Sequence, residues 1–191
     1  MAFAFPQFIF GYHGCDRAIG ESILLGKKKI NPSKNSYDWL GSGVYFWENA
    51  PERAWDWANF CVKHPKACKG RIKEPFVLGA IITLGNCLNL TEVSDMELLR
   101  EVYVNLKEKS AKLGQPLPCN KNTDHKLDCL VINTAVSLNM ENNHAPFDTV
   151  RGAYIEGSPI FEGSTLYDRT HIQVCVRNLD CIKGFFMPAS R

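Results

Sequence analysis

Two glycine-flanked segments constrain what this chain can fold into more than any other feature. Residues 11–15 read Gly-Tyr-His-Gly-Cys, and residues 39–46 read Trp-Leu-Gly-Ser-Gly-Val-Tyr-Phe. A glycine beside a strand residue lets another backbone or a ligand approach closely, because it has no side chain. The valine, tyrosine and phenylalanine of the second segment are typical of a strand. A histidine strand and an aromatic strand of this kind predict a flat pocket suited to a ring and a sugar.

The order of the predicted elements favours an α+β domain over a doubly wound one. At 191 residues the chain is long enough for one domain with a sizeable core. Asp16 and Ser94 are predicted helix N-caps, and Pro51 suits the first turn of a helix. Hydrophobic periodicity predicts strands and helices over residues 8–14 (strand), 16–25 (helix), 44–47 (strand), 51–63 (helix), 76–84 (strand), 94–112 (helix), 126–140 (helix), 152–156 (strand), 172–177 (strand) and 181–187 (strand).

Composition narrows the class of protein only slightly. The net charge of +2 selects neither for nor against a nucleic-acid partner. Eight cysteines lie partly in apolar runs and form no Cys-x-x-Cys pair, which favours reduced thiols over disulfides and argues against structural zinc. The start of the chain has no basic leader or cleavage site, and no segment is apolar for long enough to span a membrane. We therefore expect a cytoplasmic protein without a membrane partner or a metal.

The two glycine-flanked segments resemble the ADP-ribosyltransferase superfamily, on its diphtheria-toxin and poly(ADP-ribose) polymerase side. That branch has a His-Gly-Ser/Thr strand, a Gly-x-Gly-Ile/Val-Tyr-Phe strand and usually a glutamate on a late strand. His13 and Tyr45 match the first two signature positions. The resemblance covers about residues 8–90 and 150–187. It implies a split β-sandwich of two packed antiparallel sheets with flanking helices, in a single domain over residues 1–191 with a helical insertion at about 91–146.

The resemblance also implies how NAD, as co-substrate, would be bound. His13 would bond the nicotinamide-side ribose, and the Gly14 backbone would hold the nicotinamide amide. Tyr45 would stack on the nicotinamide ring, with its phenol facing the His13 imidazole across one slot. A second aromatic side chain would come from the next helix, and Trp57 is a better candidate for it than Trp55. The alternative is that both tryptophans belong to the core. Cys15 occupies the cofactor position where the family has Ser or Thr, and its thiol is a poor hydrogen-bond donor.

The third signature position falls by resemblance on Gln173, where polymerases have glutamate. Glutamine can bond a ribose hydroxyl, but it can neither take a proton nor supply charge. His171 lies two residues upstream, on the same strand face. It could contact the acceptor or act as a base, and the alternative is an exposed strand residue without a role. Two other residues could replace the missing carboxylate, and Asp168 ranks before Glu162. Both lie in a loop that also holds Glu156. Arg151 could meet a pyrophosphate or form a surface ion pair.

The resemblance therefore implies a mono-ADP-ribosyltransferase that uses NAD to modify a macromolecular acceptor, protein or nucleic acid. Members without the glutamate commonly transfer a single ADP-ribose. Such small catalytic domains are similar to bacterial toxins and effectors, which can be delivered into a target cell and can be held by an antitoxin or other regulator. The alternatives are an NAD or ADP-ribose-binding module without turnover, an NAD glycohydrolase with water as acceptor, and, more distantly, an RNA 2′-phosphotransferase.

Overall fold

The computed structural model describes residues 8–68, 70–121, 124–141 and 145–189. Seven strands and four helices occupy this part of the chain, with one 3-10 turn at Leu179–Cys181 before the last strand. The elements in chain order are β1 (Ile9–Asp16), α1 (Arg17–Leu24), β2 (Val44–Glu48), α2 (Pro51–Lys63), β3 (Pro75–Ile82), β4 (Cys87–Asn89), α3 (Val93–Leu113), α4 (Lys126–Glu141), β5 (Thr149–Tyr154), β6 (His171–Val176) and β7 (Ile182–Phe186).

The strands form one hydrogen-bonded sheet in the order β4-β5-β6-β2-β1-β3-β7. Neighbouring strands run antiparallel except β4 and β5, which are parallel. The predicted α+β class is confirmed. The expectation of two separate antiparallel sheets is wrong for the described residues, because β1 and β2 still share a short ladder that joins the two halves into a mixed sheet.

The junction between β1 and β2 is the weakest part of this sheet. These strands pair at only two positions, Gly11 with Glu48 and Tyr12 with Trp47. On its other side β1 pairs with β3 along all eight residues. Beyond Tyr12 the two central strands therefore separate, and we call the opening between them the seam gap.

The two faces of the sheet carry different hydrophobic cores. Side chains alternate between faces along a strand, so Val44 and Phe46 enter the first core while Tyr45 enters the second. The first core lies under α1, which contributes Ile23. The second core lies under α4, which contributes Ile132, and α2 covers the same face of the sheet over β1 and β3.

Most predicted elements are confirmed, with informative exceptions. Asp16 caps α1 as predicted, through a 3.1 Å bond from the Ala18 amide to its carboxylate. Ser94 does not cap α3, since the helix begins at Val93 and its N-cap is Glu92 without a side-chain bond. The three-residue β4 was missed because it is too short to show periodicity. Strand β5 begins at Thr149, three residues before the predicted start.

The prediction that the cysteines are all reduced is wrong at one pair. Cys61, at the end of α2, forms a disulfide with Cys68. The two residues are separated by only seven positions, so the bond closes a short loop between α2 and β3. Among the described residues, no helix combines the length and apolar character needed to cross a membrane.

Candidate functional site

Gly14 directs its backbone N–H and C=O into the seam gap. In an antiparallel sheet these two groups of a residue point to the same neighbouring strand, and successive residues alternate. The Phe10 carbonyl accepts from Asn49 at the end of β2, whereas the Arg17 amide bonds Glu74 at the start of β3. Even-numbered residues of β1 therefore face β2. At Gly14, β2 has already diverged, which leaves a donor and an acceptor side by side.

Helix α2 closes over the other side of Gly14. A Cβ built on Gly14 would overlap the backbone oxygen of Ala54 and would lie 3.2 Å from Cδ1 of Trp57. Only glycine allows so close an approach of helix and strand. Trp57 is 44% exposed and Trp55 45% exposed, so the alternative of a core role is wrong for both tryptophans. The structure brings Gly14 and Trp57 together, as the resemblance implies for the cofactor site.

His13 spans the seam gap through its side chain. Its Nδ1 lies 2.8 Å from the backbone oxygen of Tyr45. Continuing the register of the two paired positions places Tyr45 opposite Gly14, so the imidazole takes the carbonyl that Gly14 would otherwise bond. A carbonyl only accepts, so Nδ1 carries the proton. Burial lowers the pKa of His13, which keeps the ring neutral and its Nε2 lone pair available.

The Tyr45 ring does not face the His13 ring, and the expected slot between them is absent. The two side chains leave opposite faces of the sheet: the imidazole lies 5.7 Å from the Phe46 ring, and the phenol packs in the second core with Leu40 and Cys175. The Tyr45 hydroxyl donates to the Gly41 carbonyl at 2.7 Å and accepts from the Leu40 amide at 2.9 Å. Burial raises the pKa of Tyr45, so this hydroxyl is not an acid or base near neutral pH. Tyr45 positions His13 through its main chain.

A row of aromatic side chains extends from Trp57 across the same face of the sheet. Trp57 lies 6.4 Å from Trp47, and Trp47 lies 6.2 Å from His171, between ring centroids. The row continues from His171 to Tyr154 at 5.5 Å, and from Tyr154 to Trp39 at 4.9 Å. Sequence reasoning missed Trp39, Trp47 and Tyr154, although each lies within or beside a segment that it had singled out.

Gln173 stands in the middle of this row. Its Oε1 accepts from Nε1 of Trp39 at 2.8 Å, which turns the amide NH2 away from Trp39 as a donor. Trp39 can lie here because the residue opposite Gln173 is Gly152, whose Cβ would be 3.0 Å from the indole. Gln173 thus offers a hydrogen-bond donor with a fixed orientation.

His171 is buried, so its interpretation as an exposed strand residue is wrong. It is 7% exposed, and its Nδ1 lies 2.7 Å from the Arg169 carbonyl, which places the ring proton on Nδ1. Burial lowers the pKa of His171, and its Nε2 is buried without a hydrogen-bond partner. The residue holds an unused lone pair beside Trp47 and Tyr154.

A cavity of about 460 Å³ opens at the start of α2, and its lining includes Arg53 and Arg169. Arg53 bonds Glu156 at 2.8 Å and Asp56 at 3.2 Å through its two terminal nitrogens. The Nε atom of Arg53 and the Nε1 atom of Trp47 are buried donors without a partner. Burying an N–H group without an acceptor is costly, so each of these donors needs a partner other than a protein atom, either an ordered water or a bound molecule.

Other predicted site residues lie elsewhere or are already paired. The Cys15 side chain is buried in the first core, where burial raises its pKa to about 12, so the predicted contact of its thiol with the cofactor is wrong. Arg151 forms a bidentate ion pair with Glu48, which favours the ion-pair reading over a pyrophosphate contact. Asp168 lines the cavity and accepts from the Ser158 amide, while the Glu162 side chain is exposed.

The predicted helical insertion packs against the aromatic row through one histidine. His125, just before α4, bonds the Tyr154 hydroxyl at 3.1 Å through Nε2 and Asp128 at 3.3 Å through Nδ1. His125 therefore connects Tyr154, near the outer end of the row, to the start of α4. Among the described residues, no group of three or more His, Cys, Asp or Glu side chains is arranged to hold a metal ion.

Comparisons with known proteins give one distant relative. A protein of Methanocaldococcus jannaschii, the uncharacterized protein MJ0359, is 26% identical over 191 residues, which span 90% of this chain and 83% of that protein. No family model matches the chain. No solved structure matches it.

Proposed function

We propose that this protein is a mono-ADP-ribosyltransferase that uses NAD to modify a macromolecular acceptor. The observation that carries the proposal is the position of Gly14 at the seam gap, where its N–H and C=O face β2 beyond the last paired residues of the two strands. A primary carboxamide has one acceptor and one donor side by side, so it can complete the pairing that β2 leaves unmade. Nicotinamide has that group on a flat ring, and Trp57 supplies an aromatic face next to Gly14.

In this proposal the ribose attached to the ring lies at the seam gap, between two groups that approach it from opposite faces of the sheet and have opposite hydrogen-bonding character. His13 Nε2 accepts from a hydroxyl, whereas the Gln173 amide donates to an oxygen. Both orientations are fixed in advance, by the Tyr45 carbonyl and by Trp39. Such preorganised polar groups hold the sugar in a reactive geometry without reorganisation during the reaction.

The absence of a carboxylate at position 173 sets the expected chemistry. Without a charge opposite the developing oxocarbenium ion, catalysis depends on positioning and on the neutral dipoles of the site. A single transfer of ADP-ribose fits this site better than chain elongation. The same observation favours, as the second candidate, a module that binds NAD without turnover.

The test follows two products from NAD labelled in its adenylate half. The protein is incubated with labelled NAD and cell lysate, released nicotinamide is quantified, and the label is measured in separated protein, RNA and DNA fractions. Transfer that is lost in His13→Ala and kept in His64→Ala, a histidine near the end of α2, supports the proposal. Nicotinamide release without a labelled macromolecule indicates a glycohydrolase. NAD-dependent stabilisation without nicotinamide release indicates a binding module, and either result overturns transfer.

A further inference from the structure

We propose that Trp47, Arg53 and His171 form the acceptor subsite, that it binds a hydroxyl group, and that His171 is its general base. This inference depends on the proposed transfer reaction and specifies the class of nucleophile. It starts from the three side-chain atoms that are buried without a partner in the described part of the chain: Trp47 Nε1, Arg53 Nε and His171 Nε2.

The three atoms belong to neighbouring side chains. Trp47 is 8% exposed and His171 7% exposed, and their rings lie 6.2 Å apart. Arg53 is close enough to His171 for its charge to help lower the pKa of that ring. Arg53 also lines the cavity at the start of α2, as does Arg169, whose carbonyl holds His171. The cavity wall does not include Trp47 or His171, so the acceptor has to enter past Arg53 and to displace part of this wall.

The hydrogen-bonding character of the three atoms selects the ligand. Trp47 Nε1 and Arg53 Nε can only donate, and His171 Nε2 can only accept, because Nδ1 carries the ring proton. A guanidinium or ammonium group has no acceptor for the two donors. An ionised carboxylate has no proton for His171. A hydroxyl oxygen accepts and donates through the same atom, and that atom is the nucleophile.

The reaction at this subsite balances without a further reactant. The hydroxyl oxygen forms a bond to C1 of the ribose while its proton passes to His171 Nε2. The bond between C1 and nicotinamide breaks, and its electron pair neutralises the pyridinium nitrogen. The imidazolium that results lies near the Glu156 carboxylate, which favours the charged form, and near Arg53, which opposes it. The proton then leaves to solvent.

Small nucleophiles test the class of acceptor directly. Wild-type protein is incubated with NAD and with glycerol, agmatine or glutarate, which present a hydroxyl, a guanidinium and a carboxylate. Mass spectrometry separates the ADP-ribosyl products from free ADP-ribose, and nicotinamide release is measured in parallel. We expect a glycerol product and none with the other two. A product with agmatine or glutarate, or nicotinamide release with water as the sole acceptor, overturns the inference and leaves NAD cleavage intact.

A substitution at His171 tests the base. In His171→Asn the amide NH2 can still donate to the Arg169 carbonyl, so we expect the fold to be retained while the basic ring nitrogen is lost. We expect glycerol transfer to fall by about 10²- to 10⁴-fold, with little change in the KM for NAD and in the unfolding midpoint. The wild-type kcat should fall in acid as His171 becomes protonated, and His171→Asn should remove this contribution and leave the one that comes from His13. His64→Asn is the matched control.

Two results would reject the role of His171. Unchanged glycerol transfer in His171→Asn would show that the buried atoms hold only an ordered water, which is the ordinary partner of such groups. If His171→Asn does not fold, Trp47→Phe and Arg53→Met remove the donors separately. If each of these variants reduced transfer to glycerol and transfer to water by the same factor, that result would also contradict a hydroxyl subsite. No nicotinamide release from wild-type protein would reject the proposed function itself.

Discussion

The Trp39 indole donates a 2.8 Å hydrogen bond to Oε1 of Gln173, across 134 positions of sequence. Because the indole has only a donor, it determines which end of the amide faces Trp39 and which end faces away. Trp39 precedes the aromatic strand β2, and Gln173 lies on β6, which pairs with it. A loop residue thus controls what the sheet presents at the predicted third catalytic position.

Replacement of Gln173 by glutamate should increase NAD cleavage. The carboxylate can still accept from Trp39, and its charge would stabilise a cationic ribose, so we expect nicotinamide release to rise by about 10- to 100-fold. Release is measured at saturating NAD. Gln173→Leu, which keeps the size but neither polar group, is the control and should be slower than wild type. A rate in Gln173→Glu at or below that of Gln173→Leu would contradict the placement of ribose beside this residue.

Gly14→Ala should weaken both folding and NAD binding. Its methyl group would overlap the Ala54 backbone oxygen, so α2 and Trp57 must shift, at a cost of about 1–3 kcal/mol. Gly184→Ala is the matched control, because a Cβ there meets nothing within 4 Å. Thermal unfolding with and without NAD measures both effects. Equal stability of the two variants would show that α2 does not pack on Gly14 as described.

Tyr45→Phe should destabilise the protein and leave the reaction little changed. The variant loses the bond to Gly41 and leaves the amide of Leu40, a residue that is 0% exposed, without its acceptor. We expect a loss of about 1–3 kcal/mol, or about 2–4 °C in the unfolding midpoint per kcal/mol. The Tyr45 carbonyl still holds His13. A large loss of nicotinamide release in folded Tyr45→Phe would show that the phenol hydroxyl acts in catalysis.

The stability of the fold should decrease in acid because of two buried histidines. Burial lowers the pKa of His13 and of His171 below 6.5, the ordinary value for histidine. Below pH 6.5 the unfolded chain therefore binds more protons at these two histidines than the folded chain does. The free energy of unfolding has its full value above pH 6.5 and decreases as the pH drops below it. Unfolding midpoints between pH 8 and pH 5 measure this slope. His13→Gln and His171→Asn should each reduce the slope.

The ion pair between Arg151 and Glu48 should contribute to stability and not to NAD binding. Both side chains are mostly buried, at 15% and 12% exposure. Arg151→Met leaves the Glu48 carboxylate buried and unpaired, which costs about 3–5 kcal/mol. The double variant Arg151→Met with Glu48→Leu should recover most of that loss. If Arg151→Met kept full stability and lost affinity for NAD, the pyrophosphate reading of Arg151 would be correct.

The sequence predicts the elements that local patterns encode. Asp16 is a helix cap because its carboxylate reaches an amide two residues on, and α2 begins at its predicted proline for an equally local reason. Each of these depends on residues whose spacing a single strand or helix determines.

The orientation of the site residues depends on sheet register, which the sequence does not contain. Tyr45 and Phe46 are adjacent in sequence but lie on opposite faces, and only the partner strands determine which face meets His13. Burial of His171 likewise comes from Trp47 and Tyr154, on two other strands. The Cys61–Cys68 bond depends on how the chain turns after α2. Long-range contacts decide each of these features.

The two-position ladder between β1 and β2 has a mechanical consequence. One half of the sheet carries α1 and α2 and the other carries α3 and α4, and the halves are joined by this ladder and by the first core, to which both contribute. A molecule bound in the seam gap would hold the two halves together, because it would add hydrogen bonds where the ladder has few. Amide hydrogen exchange along β1 and β2 should therefore slow far more on binding than exchange along β5, whose pairing with β6 is continuous.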